Sequence, residues 1–399
     1  MKPPVWLLAL GATMLAQSVS SFMGQCLPVV APLLTASTGL APERIGNFSS
    51  ITSIGTCLFL AFGGPVLARV GPVRMLQVGA GTAVAALMIA ATGWVPALFA
   101  AALLLGLAYG PTPPAGSRIL AATAPVRHRS LIFSIKQAGA PAGGALAGLI
   151  VAPFAMRHGW PAALMLSIGA GLLSALAIAP LRGMMDSERD RTRSVHPRVI
   201  FSLANLRGPI TTLTNDPRLV SITALAMSFS VVQGVLFSFS VTYLTQRGMG
   251  LAEAGFVYGC LQAAGVFARV FLGWFADRTG RPAHNLTGQA YIGAACLVMY
   301  AFMPVTSLAL AATLATVAGF FCASWNGIYM AEVARLAPAD RVADATSSST
   351  LFTFLGYVAG PSLFAAAVPF VGWQWPYVAA GAQLAVMAMV QTVLLARRA

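Results

Sequence analysis

Apolar residues follow one another in long runs along almost the whole chain, and short polar segments separate the runs. A helix of about twenty apolar residues is long enough to cross the ~30 Å hydrocarbon core of a bilayer. The pattern therefore predicts an all-α membrane protein with twelve spanning helices, at 5–35, 45–67, 75–93, 96–123, 131–155, 160–181, 219–245, 251–276, 285–304, 308–336, 343–370 and 377–396.

One long polar stretch, at 182–217, interrupts this pattern with six arginines and four acidic residues. We interpret it as a cytoplasmic linker between two halves of the chain. The predicted organisation is a six-helix bundle at 1–181, the linker at 182–217 and a second six-helix bundle at 218–399. A role of the linker in binding a partner is the alternative interpretation.

The composition agrees with a membrane protein. The 399 residues are 58% hydrophobic and 9% charged, whereas about a quarter of the residues are charged in a typical soluble domain. The net charge of +14 is also typical of nucleic-acid-binding proteins, but the basic residues lie mainly in short loops between apolar runs. We therefore expect a protein of the lipid bilayer with no nucleic-acid partner. We further expect a monomer, although neither composition nor charge determines the oligomeric state.

The distribution of the loop cations predicts the orientation. With both termini in the cytoplasm, the inside loops hold the linker arginines together with Lys2, Arg69, Arg74, Arg127, Arg129, Arg278, Arg281, Arg341, Arg397 and Arg398. The outside loops hold Arg44, Arg157 and Arg247. This asymmetry predicts a multi-pass protein of a bacterial-type inner membrane with both termini inside.

An internal repeat relates the two halves. At an offset of 213 residues, Gly106 falls on Gly319, and the pair Gly159-Trp160 falls on Gly372-Trp373. At an offset of 209, the loop residues Gly64, Arg69 and Gly71 fall on Gly273, Arg278 and Gly280. The repeat predicts that spans four to six correspond to spans ten to twelve, as two parallel halves require.

An apolar helix runs into a tight polar loop over residues 268–281, which read A-R-V-F-L-G-W-F-A-D-R-T-G-R. The spacing G-x-x-x-D-R-x-G-R, from Gly273 to Arg281, resembles the signature loop of the major facilitator superfamily of secondary transporters. Because the degraded copy at 64–71 and the twelve spans agree with it, the resemblance covers the whole chain. It implies two pseudo-symmetric six-helix bundles that rock about a central cavity.

The resemblance also implies a cytoplasmic gate that closes through ion pairs of the loop acid and arginines. We assign to this gate Asp277, Arg278, Arg281, Arg69, Arg74, Glu332, Arg335 and Arg341, together with Asp344. Proton coupling is the alternative role for Glu332 and Asp344. The first loop departs from the family pattern, since Ala68 stands where the acid is expected. We therefore expect an acid-based latch only at Asp277.

Two cations lie well inside predicted spans, Lys136 on the fifth and Arg269 on the eighth. An ionisable residue at mid-membrane costs at least ~2.5–3.5 kcal/mol, so its presence indicates a function. In the superfamily these two spans line the central cavity from opposite halves. We predict that Lys136 and Arg269 clamp an anionic substrate, with the arginine fork matching a carboxylate. The alternative is that each side chain reaches the cytoplasmic interface or pairs with a gate acid.

Residues 268–273 are similar to the eighth span of the monocarboxylate and oxalate:formate transporter branches, where the arginine binds a carboxylate. Monocarboxylate carriers place an aspartate four residues before that arginine, and this chain has Gly265 there. The oxalate:formate antiporter has its second cation on the eleventh span. Here that stretch reads Ser347-Ser348-Ser349-Thr350, and the lysine is on the fifth span instead. The resemblance is partial and implies an organic-anion carrier.

Polar residues on other spans complete the predicted binding site. Gln17, Ser21 and Gln25 share one face of the first span because they are spaced four residues apart. Further candidates are Tyr109, Gln233, Trp325 and Asn326. For each residue, a helix–helix hydrogen bond or a packing role is the alternative.

These observations predict a secondary transporter of a small mono- or dicarboxylate, coupled by proton symport or by anion exchange. An exporter of drugs or hydrophobic compounds is one alternative, and a non-transporting sensor that binds a partner through 182–217 is another. The sequence contains no phosphate-binding loop and no metal-spaced cluster, and its five cysteines lie at unrelated spacings within apolar segments. We therefore expect neither an enzyme nor a cofactor.

Overall fold

The computed structural model describes residues 4–125, 129–187, 189–338 and 341–397. This part of the chain forms long helices joined by short turns, which we number as spans 1 to 12. In order, they are Val5–Thr38, Ile45–Phe62, Pro72–Ala90, Val95–Tyr109 with Thr112–Thr123, Arg129–Leu146 with Ala147–Val151 and Ala152–His158, Trp160–Ala177, Pro217–Gln246, Leu251–Thr279, Pro282–Ala301, Leu308–Cys322 with Asn326–Leu336, Val342–Val371, and Gln374–Ala396.

Within the described ranges, eleven helices are long and apolar enough to cross a membrane. Span 9 is the remaining one, and its 20 residues include His284, Asn285 and Gln289 near its beginning. All twelve predicted spans are thus present as helices, which confirms the predicted all-α fold. Lys2, Arg127 and Arg398, which entered the prediction of orientation, lie outside the described residues.

In the described part of the predicted linker the helices are short, namely Arg182–Met185, Pro197–Ile200 and Ala204–Thr214. Span 7 begins directly afterwards, where Asp216 caps it by accepting a 2.7 Å hydrogen bond from the Arg218 amide. An aspartate at this position satisfies an amide of the first helical turn. The division of the chain at 181 and 218 stays a prediction. We call the side of the molecule that carries the linker the linker face, and the opposite side the far face.

Several of the predicted spans are interrupted, which the apolar pattern did not predict. The predicted second span, 45–67, breaks at Gly63, and a separate short helix, Gly64–Val70, follows. Span 4 breaks between Tyr109 and Thr112, where Pro111 lacks the amide hydrogen that a continuous helix needs. Span 10 breaks between Cys322 and Asn326 at the corresponding place of the second half. Span 5 contains a π-helical turn at Ala147–Val151. A break frees main-chain groups for other partners, and span 10 uses this in the cavity described below.

The predicted repeat is visible in the packing. Gly106 of span 4 lies so close to span 2 that a Cβ atom there would overlap the Thr52 carbonyl oxygen. Gly319 of span 10 lies in the same way against the Leu261 carbonyl oxygen of span 8. The two glycines are 213 residues apart and their two partners 209 residues apart, the same offsets that the sequence repeat shows. The corresponding spans of the two halves therefore pack alike.

The two halves are in contact near the far face. Span 2 packs on span 11, and span 5 packs on span 8. A Cβ atom on Gly46 would overlap Phe239 of span 7, and one on Gly148 would lie 2.5 Å from the Gly255 oxygen of span 8. Such small residues let helices approach closely enough to exclude solvent. These contacts close the interface between the halves at the far face.

Candidate substrate cavity

A cavity of about 770 Å³ lies between the two halves. Spans 1, 2, 4 and 5 form its wall on one side, and spans 7, 8, 10 and 11 form it on the other. The lining reaches the linker face at Ala68, Ala121 and Ser347, whereas toward the far face spans 1 and 11 contribute only as far as Pro28 and Pro361. The cavity therefore opens toward the linker face.

Arg269 of span 8 lines this cavity and is only 8% exposed. Its Nη1 donates to the main-chain oxygen of Gln137 on span 5 at 2.5 Å, and its Nη2 donates to Asn326 Oδ1 at 3.1 Å. Nε and Nη2 also donate to the Ala323 oxygen in the break of span 10, at 3.3 and 3.2 Å. These acceptors are all neutral, and no described carboxylate forms an ion pair with Arg269. Its positive charge is thus available to an anionic ligand.

The structure places Lys136 behind the cavity wall. The residue is 1% exposed, its side chain lies against Gly116 of span 4, and its Nζ is 3.5 Å from Gln137 Oε1. No carboxylate among the described residues pairs with it. Successive helix residues point about 100° apart, so Gln137 faces the cavity and Lys136 does not. The predicted clamp of two cations facing one another is therefore absent from this conformation of the described residues, and a role of Lys136 in substrate binding stays a prediction.

Most of the other predicted binding residues do lie in the wall, namely Gln25, Tyr109, Gln233, Trp325 and Asn326. Gln233 Oε1 accepts from Trp325 Nε1 at 2.8 Å, and Gln25 Oε1 accepts from the Tyr258 hydroxyl at 2.8 Å. Gln17 is buried outside the lining, where its Nε2 donates to the Tyr109 hydroxyl at 2.7 Å. Gln17 thus lies behind Tyr109, and the ligand roles of all six residues stay predictions.

Sequence reasoning missed the aromatic character of the wall. Besides Tyr109 and Trp325, the lining includes Phe48, Phe59, Phe237, Tyr329, Phe354 and Tyr357. On an apolar helix, the sequence does not distinguish an aromatic residue that faces a cavity from one that packs in the core. Because these rings come from both halves, a flat apolar ligand would find stacking surfaces on two sides.

The predicted gate residues of the second half are mostly exposed at the linker face. Asp277, Arg278 and Arg281 are exposed, and within the described structure Asp277 forms no ion pair. The Arg278 guanidinium lies 5.7 Å from the centre of the Trp274 ring. An unpaired Asp277 agrees with a cavity that is open on this side.

The remaining gate assignments of the second half lie on or beside spans 10 and 11. Glu332 is 2% exposed and accepts two 2.7 Å hydrogen bonds from Arg335. Arg341 is exposed and precedes span 11. The side chain of Asp344 lies outside the described part. The gate function of these residues stays a prediction.

In the first half, where Ala68 leaves the loop without an acid, Asp186 of the linker binds the beginning of span 3. Its Oδ1 accepts from the Val73 amide at 2.7 Å, and its Oδ2 accepts from the Arg74 amide at 3.2 Å and lies 3.5 Å from Arg74 Nη1. Asp186 is 3% exposed and caps the first turn of span 3. The linker also contacts Arg69, whose Nη1 donates to the Arg193 oxygen at 3.2 Å. The sequence did not reveal this contact, because it joins residues more than 110 positions apart.

The fold and the cavity together define a transport protein of the alternating-access class. The sequence model of the Major Facilitator Superfamily matches residues 13–348, and the chain therefore belongs to this superfamily. It is a multi-pass membrane transporter rather than an enzyme.

Among named relatives, the chain is similar to a gallate transporter of Pseudomonas putida, with 27% identity over 323 residues that cover 74% of this chain and 70% of the relative. It is also similar to the 4-hydroxybenzoate transporter PcaK of Pseudomonas aeruginosa, with 26% identity over 320 residues that cover 73% of this chain and 70% of the relative.

Solved structures share the fold at lower identity. A peptide transporter POT in complex with sulfate has a TM-score of 0.75 and 17% identity, and the match covers 99% of this chain and 95% of that one. The nucleoside transporter NupG has a TM-score of 0.74 and 15% identity, with 97% and 99% covered.

Proposed function

We propose that this protein carries a small aromatic carboxylate across the membrane by alternating access, with Arg269 as the residue that binds the carboxylate. The position of Arg269 is the main support for this proposal. The guanidinium lies in the cavity wall and is fixed by neutral oxygens of Gln137, Ala323 and Asn326. A carboxylate would pair with this unneutralised charge through the one Nη1 N–H that these contacts do not use, or would replace one of the neutral oxygens.

Two observations support an aromatic substrate. Aromatic rings from both halves line the cavity, among them Phe48, Tyr109, Trp325 and Tyr357, and offset or edge-on ring contacts stabilise a bound ring by about 0.5–1.5 kcal/mol each. The named relatives are a gallate and a 4-hydroxybenzoate transporter, both named for phenolic acids. Polar wall residues such as Ser21 and Gln25 can donate a hydrogen bond to a ring hydroxyl or accept one from it.

The charges around the cavity support anion exchange, or uptake together with a proton that the substrate brings. The described lining contains no aspartate or glutamate, so no acid there carries a coupling proton. An empty cavity leaves Arg269 without a counter-charge, and moving an uncompensated charge through the apolar interior is costly. A bound carboxylate removes this cost, so the loaded carrier reorients more readily than the empty one. We place both termini in the cytoplasm of the inner membrane, so that this cavity opens inward.

Counterflow in proteoliposomes tests the proposal. Vesicles that contain the protein are loaded with unlabelled 4-hydroxybenzoate, and the entry of labelled 4-hydroxybenzoate is followed. We expect entry with the wild type, loss of entry in Arg269→Gln, and wild-type entry in Arg157→Gln, which removes an exposed arginine of the far face. Equal entry in Arg269→Gln and the wild type would overturn the proposal. Transport of a hydrophobic cation instead would favour drug export, and absence of any flux would favour a sensor.

A further inference from the structure

A second, smaller cavity of about 230 Å³ lies in the second half at the linker face. It shares no lining residue with the large cavity. The ends of spans 7, 9, 10 and 12 form it, and its polar lining consists of Arg218, Arg281, His284, Glu332, Arg335 and Gln391. The polar side chains of four different spans therefore converge on one small volume.

The charge of this second cavity is positive. Glu332 is already bound by two hydrogen bonds from Arg335, and Arg218 is paired with Asp216 at 2.8 Å. Arg281 forms no ion pair in the described chain, and His284 beside it adds a further nitrogen donor. After these acids are accounted for, at least one full positive charge remains without a partner.

The beginning of a long helix adds to this charge. Span 9 is 20 residues long and begins at Pro282 on the cavity wall, and the side chain of its N-cap residue, Arg281, does not cap it. The amides of Ala283 and His284 belong to this first turn. Free amides and the helix dipole make the beginning of such a helix favourable for an anion.

Gln391 provides an independent indication of a ligand. It lines the second cavity and is 2% exposed, yet its side chain has no hydrogen-bond partner among the residues that the structure describes. A ligand that accepts a hydrogen bond from this amide would supply the partner that the described residues do not. The Gln391 amide, the Arg281 guanidinium and the first-turn amides of span 9 are thus hydrogen-bond donors on three different parts of the lining.

We propose that this second cavity binds a phosphate group, either as free phosphate or as the headgroup of an anionic lipid. A phosphate has several oxygens in a tetrahedral arrangement and so accepts hydrogen bonds from donors on several sides, whereas a carboxylate has two oxygens in a plane. The apolar part of the lining, which includes Ile222, Leu336 and Leu395, provides the surface along which lipid chains would lie. This proposal does not depend on the substrate of the large cavity.

Thermal unfolding of the purified full-length protein tests this inference. The probes are inorganic phosphate, dihexanoyl phosphatidylglycerol and, as a zwitterionic control, dihexanoyl phosphatidylcholine, all at matched ionic strength. The variants are Arg281→Gln and its matched control Arg278→Gln, which lies in the same loop outside this lining. We expect phosphate or phosphatidylglycerol to raise the Tm of the wild type and of Arg278→Gln. In Arg281→Gln the concentration for half-maximal effect should rise about fivefold or more.

The two probes separate the two sources of phosphate. A response to phosphatidylglycerol alone identifies a lipid site, and a response to inorganic phosphate identifies a soluble ligand. The proposal is overturned if neither probe stabilises the wild type more than phosphatidylcholine does, or if Arg281→Gln and Arg278→Gln respond alike. Gln391→Leu gives a second check. It removes the amide from the cavity wall and should therefore weaken the Tm response to the phosphate probes.

Discussion

Arg269 Nη1 donates a 2.5 Å hydrogen bond to the main-chain oxygen of Gln137, and this bond crosses from span 8 of the second half to span 5 of the first. The proposed substrate-binding group is thus also a contact between the two halves. A carboxylate that accepts a hydrogen bond from Arg269 would either displace the Gln137 oxygen or bind beside it. Binding and reorientation of the halves are therefore expected to be coupled at this one side chain.

Replacing Arg269 by lysine separates charge from geometry. Lysine retains the positive charge but lacks the planar fork that donates to Gln137, Ala323 and Asn326 at the same time. We expect Arg269→Lys to weaken 4-hydroxybenzoate binding about tenfold, which corresponds to ~1.4 kcal/mol. Titration calorimetry measures the change. Binding as tight as in the wild type would show that charge alone is sufficient and that the fork is not required.

Lys136 is expected to contribute less than Arg269, since it lies behind the wall. It is 1% exposed, and among the described residues its side chain makes one hydrogen-bond contact, a 3.5 Å approach to Gln137. Because a buried cation without a counter-charge is costly, we expect Lys136→Met to raise the melting temperature. Carboxylate affinity in Lys136→Met should fall by less than in Arg269→Gln. A larger loss of affinity in the lysine variant would instead support the clamp that the sequence predicted.

Asp186 is expected to stabilise the first half of the molecule. It binds the amides of Val73 and Arg74, so Asp186→Ala leaves the first turn of span 3 without its cap. We expect a loss of about 1–2 kcal/mol, seen as a lower melting temperature in detergent. Asp190→Ala is the matched control, because Asp190 is an exposed linker acid whose side chain accepts local hydrogen bonds from the amide and hydroxyl of Thr192. Equal effects of the two variants would contradict the capping role.

Gly106 is expected not to tolerate a larger residue. A Cβ atom there would overlap the Thr52 carbonyl oxygen, so Gly106→Ala must push spans 2 and 4 apart. Overpacking of this kind costs about 1–3 kcal/mol. Gly81→Ala in span 3 is the control, because nothing lies within 4 Å of the added Cβ and alanine favours a helix. Thermal unfolding of both variants measures the difference, and a Gly106→Ala protein as stable as Gly81→Ala would be inconsistent with the close approach.

The sequence predicted the spans because length and hydropathy determine which segments can cross a bilayer. It also predicted the buried position of Arg269 and the equivalence of Gly106 and Gly319. It did not show which face of span 5 lines the cavity. The adjacent residues Gln137 and Lys136 differ in this respect, since Gln137 lies in the wall and Lys136 lies behind it. Nor did it reveal Asp186, because the contact with Val73 depends on the path of the linker. The aromatic lining could not be predicted either. On an apolar helix, the sequence does not show whether a ring such as that of Tyr357 faces a cavity or packs in the core.

The most direct test of the central claim compares the binding of 4-hydroxybenzoate with that of its neutral analogue 4-hydroxybenzamide to the purified protein. If Arg269 binds the carboxylate, the wild type and Arg157→Gln should prefer the acid by about tenfold or more. Arg269→Gln should then lose this preference. A wild type that binds acid and amide equally, or an Arg269→Gln variant that still prefers the acid, would contradict the claim.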